Sequence, residues 1–474
     1  MERERIDFDV VFVGGGPACL AGAIRLMQMA RAAGGELEVA LIEKGANIGD
    51  HAVSGAVLNP RALKELLPDY ADKGCPIESE VRGDAFYFLT AQRHYKLPLV
   101  PRQMHNAGCH IVSLSRFTRW LGELAEEMGI NIFPGFAGKE VLYGQDGRTV
   151  VGVRTGDKGL DRQGQPKANF EAGYDLMGKV TVFGEGARGS LMQEMAPVVG
   201  LFEGRQPQVF ETGIKEVIKL PQENFFSQGS INDIHLMGYP LGLKTPGGGF
   251  IYQMRDNRVA IGFLTALCYQ DPRIDPYEAF VKFKRHPFVA QIIAGGKVVE
   301  QGARTVSSGG LYSLPRMAVD GALFVGGAAG MQNMPALKGI HLSMKSGMLA
   351  AVAIFEAIAR NDFSAKGLAA YDAAFKASWA YQEMAEGRNF SQALAKKGLA
   401  KMLHLGAQYV TGGKGLRDHL PHRADPKTLK ALSKVKPEAW KPLDAGDYDD
   451  TLNVDKLTGV YLAKIKHRED QPSH

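Results

Sequence analysis

The chain has 474 residues, 45% of them hydrophobic and 23% charged, with a net charge of +5. That length supplies two or three domains, the composition is ordinary for a water-soluble fold, and no basic tract is dense enough to argue for nucleic acid. Cys19, Cys75, Cys109 and Cys268 are scattered without any C-x-x-C spacing, which excludes a disulfide framework and a self-contained zinc or iron–sulfur site. The charged start, Met1 to Arg5, carries no signal-peptide pattern, and no apolar run reaches the roughly 18 residues of a membrane span.

Phe8 to Val13 reads as a buried strand that runs into Gly14-Gly15-Gly16-Pro17-Ala18 and then a helix, Leu20 to Ala33. This is the opening of a dinucleotide-binding βαβ unit. Gly14 permits the tight turn, Gly16 lets a pyrophosphate approach the backbone, and the helix N-terminus offers it unpaired N–H groups. Cys19 stands where the motif has its third glycine. The second strand, Glu38 to Ile42, ends in Glu43, an acid placed to hold ribose hydroxyls or else a solvated strand-end charge. Lys44 follows, then a small-residue stretch, Gly45 to Leu58, containing His51, Ser54 and Gly55, where backbone can lie against a flat ligand.

Val81 to Met104 interleaves Phe86, Phe88, Tyr95 and Leu99 with Arg93, His94, Lys96 and Arg102. It fits either two strands over a substrate domain or an apolar surface dipping into a bilayer. A helix over Ile111 to Gly129, a strand at Asn131 to Phe133 and a hairpin around Asp146-Gly147 come next, then a polar loop from Lys158 to Gly173. Strand Val180 to Phe183 opens into Gly184-Glu185-Gly186-Ala187-Arg188-Gly189, a second backbone approach to a dinucleotide, with Arg188 facing phosphate or solvent. Late in the chain, Ala322 to Val325 ends in Gly326-Gly327-Ala328-Ala329-Gly330, followed by Met331, Asn333 and a helix from Gly339-Ile340 to Ala359. Such an order describes a two-dinucleotide-binding-domain flavoprotein. The fold class expected is α/β (α+β overall), a Rossmann-like FAD domain with an inserted β-sheet domain. Gly327 stands where such proteins commonly have Asp, and the last helix aims its positive end at the flavin.

Many separated motifs carry a resemblance: Ile48-Gly49-Asp50-His51, Phe133-Pro134-Gly135-Phe136, Gly213-Ile214-Lys215-Glu216, Gly238-Tyr239-Pro240-Leu241, Thr245 to Tyr252, Gly302-Ala303-Arg304, Pro335 to His341 and His467 to His474. Over nearly its whole length the chain resembles the electron transfer flavoprotein–ubiquinone oxidoreductase family. The resemblance implies an FAD enzyme that takes electrons from reduced electron transfer flavoprotein and reduces ubiquinone or menaquinone. It makes Gly14 to Ala18, Glu43, Lys44, Ser54, Gly55, Gly186, Gly326, Gly327, Gly330, Met331, Asn333, Gly339 and Ile340 flavin-binding. Gly247 and Gly248 match quinone-contacting glycines, although read alone they are a turn ahead of strand Phe250 to Met254. Pro246 and Gly249 differ from the family's commoner residues. His51 and His341 would carry a proton or only hydrogen-bond; Arg304 would meet flavin or phosphate charge or stand at the surface. No metal site is expected in this sequence.

The family continues past the segment matching Asp470 to His474 into a ferredoxin-like region with four cysteines for a [4Fe–4S] cluster. The expectation is a cluster on a separate ferredoxin-like subunit, or a truncation. The expected division is 1–75, 105–200 and 305–370 for FAD, 76–104 and 201–304 for a quinone-binding, membrane-facing domain, and 371–474 for a region packing on the cluster partner. Resemblance places a peripheral enzyme on the cytoplasmic side of the inner membrane, touching it through segments near Phe86 to Met104 and Tyr371 to Phe390. The basic helix Leu394 to Tyr409 suits an anionic leaflet or is a solvated face. Other readings of the architecture are a geranylgeranyl reductase, a monooxygenase, or a relay subunit of a bifurcating complex.

Overall fold

The computed structural model describes residues 3–52, 54–227, 229–436 and 440–464. The motif His467 to His474 lies outside the described residues. Two sheets organise the chain. The first is built on five parallel strands in the spatial order Asn131–Pro134, Val39–Glu43, Arg5–Val13, Asp175–Phe183 and Ala322–Phe324. Their middles, such as Val10-Val11-Phe12-Val13 and Val39-Ala40-Leu41-Ile42, are buried throughout, as strands covered on both faces must be. The hairpin Gly138–Tyr143 and Val150–Thr155 lies antiparallel on Asp175–Phe183.

Helices Pro17–Ala32 and Ile340–Arg360 pack together in this core. The approach is backbone to backbone: a Cβ on Gly347 would stand 1.9 Å from the Ala18 carbonyl oxygen, and one on Gly22 would stand 3.0 Å from the Gly347 oxygen. Gly347→Val therefore forces the two helices apart, and about 3 kcal/mol of destabilisation is expected in urea unfolding. Ile340–Arg360 is the one described helix long and apolar enough to cross a membrane, yet more than half of it is buried in the protein.

The second sheet has seven strands, in the order Lys297–Ser307, Phe210–Lys219, Arg258–Ala266, Gly247–Met254, Asp233–Gly238, Asp84–Leu89 and His94–Lys96. Every pairing is antiparallel except Asp84–Leu89 with Asp233–Gly238. One face is covered by helices Pro276–Lys284 and Pro287–Ile292, with Phe280, Phe283 and Val289 packed on Ile214, Ile251 and Phe263. The opposite face meets the first body. Phe250, Tyr252 and Ala260 join Val57 and Ile111 there, and Lys215 Nζ donates to the Gly55 carbonyl at 2.8 Å.

Of the two readings of Val81 to Met104, the strands are present, Asp84–Leu89 and His94–Lys96 at the edge of the second sheet. Other expectations change. Lys158 to Gly173 is a hairpin, Lys158–Leu160 with Pro166–Glu171, and Gly247-Gly248 lies inside a strand rather than a turn. In the C-terminal region the Asp449 carboxylate accepts from the N–H groups of Thr451, Leu452 and Asn453 and folds that segment into a loop. Val460 to Leu462 belongs to helix Lys456–Ala463, capped by Asp455. The aromatic stripe from Tyr371 is core, not a membrane face. Tyr371, Phe375, Ala380 and Met384 are all buried in helices Ala370–Ala377 and Trp379–Glu386, and the Tyr371 hydroxyl donates to the Phe324 carbonyl at 3.0 Å.

Candidate dinucleotide crevice and the sheet beside it

The parallel strands end at one edge, and glycine turns follow three of them. Gly14 has φ +106°, and a Cβ there would lie 2.7 Å from the Gly184 carbonyl oxygen. The turn after Phe183 thus packs on the turn after Val13. A Cβ on Gly327 would lie 3.2 Å from Gly186 Cα, and one on Gly326 would lie 2.7 Å from Ala18 Cβ. Gly14, Ala18, Gly186, Gly326 and Gly327 therefore converge, although they come from three distant segments. Cys19 is accommodated because its neighbour is Gly184, where a Cβ would sit 2.3 Å from the Cys19 sulfur. Burial pushes that thiol well above its ordinary range, so it is an inert filler.

Helix Pro17–Ala32 begins without a side-chain cap and without an acid in its first turn, so its first N–H groups have no partner of their own. A Cβ added to Gly16 or Gly186 meets no atom within 4 Å, so both open onto space. Open glycine backbone at an uncapped helix N-terminus fits a dinucleotide pyrophosphate. Glu43 accepts from Gly15 N–H at 2.8 Å and Gly45 N–H at 2.7 Å, with His51 Nδ1 at 3.5 Å. Burial acts to raise the Glu43 carboxyl, but His51 and the two N–H groups outweigh it and hold it below the usual range. Oε2, which accepts only from Gly15 N–H, keeps a second lone pair for a hydroxyl.

Cations ring the crevice. Arg304 donates to the His51 carbonyl and is lowered by burial. Lys44 is lowered to about 8, chiefly by burial and by Arg304, with Glu43 and Glu185 opposing. Lys215 is lowered to about 8 by burial. For these lysines the folded value lies below the unfolded one, so their burial disfavours folding most below about pH 8 and the penalty eases as pH rises towards about 10.4. An anion seated beside the charged ammonium reverses that sign. FAD affinity is therefore expected to fall several-fold between pH 7.5 and 9.5, with proton uptake on binding, which calorimetry in buffers of different ionisation enthalpy reads directly.

At the other end, Gly326 N–H donates to Ser346 Oγ at 2.9 Å, and Met331 N–H to the Gly326 carbonyl at 3.0 Å. Gly330 N–H donates to the Gly327 carbonyl, and Asn333 and Lys338 exchange backbone hydrogen bonds. These bonds close the turn that leads to Gly339, the uncapped start of the helix opening at Ile340. His341 is buried in a hydrogen-bonded network. Its Nε2 lies 2.9 Å from Glu383 Oε1, its ring stacks on Trp379 at 5.7 Å, and Asn333 Nδ2 donates to the same carboxylate at 2.7 Å. Ser54 Oγ joins Ser113 and Ser115 in a hydroxyl cluster. Arg188 stacks over Phe210 and bonds Gln193.

The register of the second sheet fixes which residues look towards this crevice. Gly248 opposes Leu264, Leu264 opposes Gly213, and Gly213 opposes Arg304. Cross-strand partners share a face, so Gly248 and Arg304 lie in one row, three strands or about 14 Å apart. Gly249 points the other way, where a Cβ would strike the Phe283 ring at 2.2 Å. Gly247 shares that helix-covered side and does not enter the row.

A family model described as "ETF-QO, ubiquinone-binding" matches residues 210–306, which span most of the second sheet. The whole chain aligns at 41% identity with the electron transfer flavoprotein–ubiquinone oxidoreductase of Pseudomonas aeruginosa, covering 86% of it. The mitochondrial proteins of Arabidopsis thaliana and Homo sapiens are 40% and 36% identical, again over the whole chain, with 72% and 77% of their lengths covered. The chain belongs to the electron transfer flavoprotein–ubiquinone oxidoreductase family. Among solved structures, a geranylgeranyl bacteriochlorophyll reductase-like protein from Thermoplasma acidophilum superposes with TM-score 0.63 at 16% identity, covering 91% of this chain and 97% of that one. A flavin-dependent brominase reaches 0.59 at 16%, covering 89% and 97%. These share the fold of flavoproteins.

Within this oxidoreductase, sequence reasoning overlooked Glu185, whose buried carboxylate caps Leu191 and Met192 N–H beside the second glycine turn. It also missed Lys215, Lys338 and Glu383. Glu185 had a local signal, an acid between two glycines; the other three gain meaning only from distant partners.

Proposed function

We propose that this chain binds FAD in extended form along the crevice, receives electrons from reduced electron transfer flavoprotein, and reduces ubiquinone against the second sheet. The observation that carries the reading is the coincidence of the ubiquinone-binding family match with a sheet whose crevice-facing row holds Gly248 and Arg304. Gly14 to Ala18 and Gly186 hold the pyrophosphate, with Glu43 on the ribose and Lys44 and Arg304 supplying positive charge. Ser54, Gly55, Gly326, Gly327, Gly330, Met331, Asn333, Gly339 and Ile340 surround the flavin. The bound FAD supplies the redox chemistry; the protein orients it and sets its potential through charge and the helix N-terminus. His51 and His341 act as hydrogen-bonding groups.

An iron–sulfur centre, on a ferredoxin-like partner, relays the incoming electrons and docks on the 371–474 region. Helix Lys456–Ala463 offers an apolar face there, with Leu457, Val460 and Tyr461 exposed. The enzyme meets the membrane peripherally. Helix Gly398–Thr411 exposes Leu399, Met402, Leu403 and Val410, and its Lys401 bonds the carbonyl of exposed Leu243, giving one apolar surface edged by lysines. The division into an FAD body, a quinone body of 76–104 with 201–304, and a docking tail follows these roles. To test the reading, reduced electron transfer flavoprotein and a soluble ubiquinone are mixed anaerobically with the FAD-loaded protein. Quinol formation is expected, and a stall relieved by a small four-cysteine cluster protein identifies the relay. NADPH oxidation with oxygen uptake, and no quinol, would overturn it.

A further inference from the structure

A polar cluster lies buried on the crevice-facing side of the second sheet, beside the apolar patch of Phe250, Met254 and Ala260. Asp84, Asp233 and Tyr252 sit in one cross-strand row, and His235 and Phe250 in the next. Asp233, His235 and Asn106 are each no more than 1% exposed. His235 Nε2 stands 3.0 Å from Asp233 Oδ1, and Asn106 Nδ2 donates to Asp233 Oδ2 and reaches His235 Nε2 at 3.3 Å. Asp84 accepts from Asn106 N–H at 3.1 Å. At the outer end His105, more than half exposed, places Nδ1 3.5 Å from Asp84 Oδ2. At the inner end His235 Nδ1 is buried with no hydrogen-bond partner among the described residues. Burying such groups is expensive, and the first sheet's core shows that this fold does not need them for packing.

We propose that His105, Asp84, Asp233 and His235 form a proton inlet from solvent to the quinone-facing row of the second sheet. The inference rests on the quinone reading above. Met237, two residues beyond His235 on the same face, pairs with Gly248, so His235 is the diagonal neighbour of that glycine, roughly 7–8 Å away. Reducing a quinone to quinol takes two electrons and two protons. A two-electron-reduced flavin anion carries both electrons and one proton, so the second proton must enter from water. The inlet supplies it: a proton taken by His105 passes through the Asp84–Asp233 pair to His235, and the imidazole hands it on from Nδ1. Burial and the Asp233 charge raise Asp84, which suits a carboxyl that holds a proton. Burial acts to raise Asp233 as well, but His235 and Asn106 outweigh it and keep it ionised. The other ionisable groups facing the cluster are Tyr252, raised by burial, Cys109, raised by burial, and Lys338, lowered by burial and set between Cys109, Asp233, Glu383 and Asp84.

The test uses single turnovers of the FAD-loaded chain, photoreduced without oxygen, in wild type, Asp84→Asn and His105→Ala. Asn at 84 can still accept from Asn106, so the fold is preserved. Reoxidation by a soluble short-chain ubiquinone is expected to slow at least about 10-fold in both variants. Reoxidation by ferricyanide, which takes electrons and no proton, is expected to stay unchanged. Added imidazole is expected to restore His105→Ala and not Asp84→Asn. Variants that match wild type with quinone, or that slow equally with both acceptors, overturn the inlet alone. A wild type that quinone does not reoxidise overturns the quinone reading and the inlet with it.

Discussion

Gly14→Val is expected to abolish flavin binding. Valine at φ +106° is strained before any contact is counted, by about 1–2 kcal/mol or more for a β-branched side chain. Its Cβ would also stand 2.7 Å from the Gly184 oxygen and 3.1 Å from the Gly184 carbonyl carbon. Those atoms are backbone and cannot step aside without parting the two glycine turns. Gly14 N–H further donates to the Ile42 carbonyl, so the turn is tied to the strand that carries Glu43. A turn that parts to relieve the clash must be drawn back to hold FAD, and a cost above about 4 kcal/mol for that step corresponds to a thousandfold weaker affinity. Gly16→Ala separates the two effects. Its Cβ meets nothing in the ligand-free chain, so unfolding stability should hold within about 0.5 kcal/mol while flavin affinity drops at least tenfold. Flavin fluorescence titration with urea unfolding reads both. Equal flavin affinity in Gly16→Ala and wild type would mean the pyrophosphate lies elsewhere.

Lys284→Met is expected to cost about 3–5 kcal/mol of unfolding free energy. The Lys284 and Glu216 side chains are both fully buried, 2.7 Å apart. Burial lowers the lysine and raises the carboxyl, and each charge is kept by the other. Removing one partner leaves the other unpaired in the core. Lys284 also donates to the Leu452 carbonyl, so the variant should loosen the 449–455 loop from the sheet and speed proteolysis there. The double variant Lys284→Met, Glu216→Leu removes both charges and should recover most of the stability. If single and double variants lose equally, packing rather than charge pairing holds the tail.

The crevice was legible in the sequence because its signals are local. A strand, a glycine turn, a helix and an acid fall within Phe8 to Glu43, and the later turns at Gly184 and Gly326 repeat the strand-to-glycine pattern. The second sheet was less so. Gly247-Gly248 looked like a turn because glycine is read as a breaker, whereas both residues are strand positions whose added Cβ would strike facing carbonyls, Leu264 for one and Leu236 for the other. The aromatic stripe from Tyr371 has the period of a membrane-facing helix and of a core helix alike, and only packing separates them. The polar cluster was invisible: Asp84, Asn106, Asp233 and His235 belong to segments that meet only through the sheet register.

Electron transfer from the flavin in this crevice to a quinone is tested most directly by anaerobic titration of the photoreduced, FAD-loaded protein with a soluble ubiquinone. One quinol formed per flavin reoxidised, with no oxidation of added NADPH, is the predicted result. A flavin that stays reduced in excess quinone but turns over with NADPH and oxygen would contradict it.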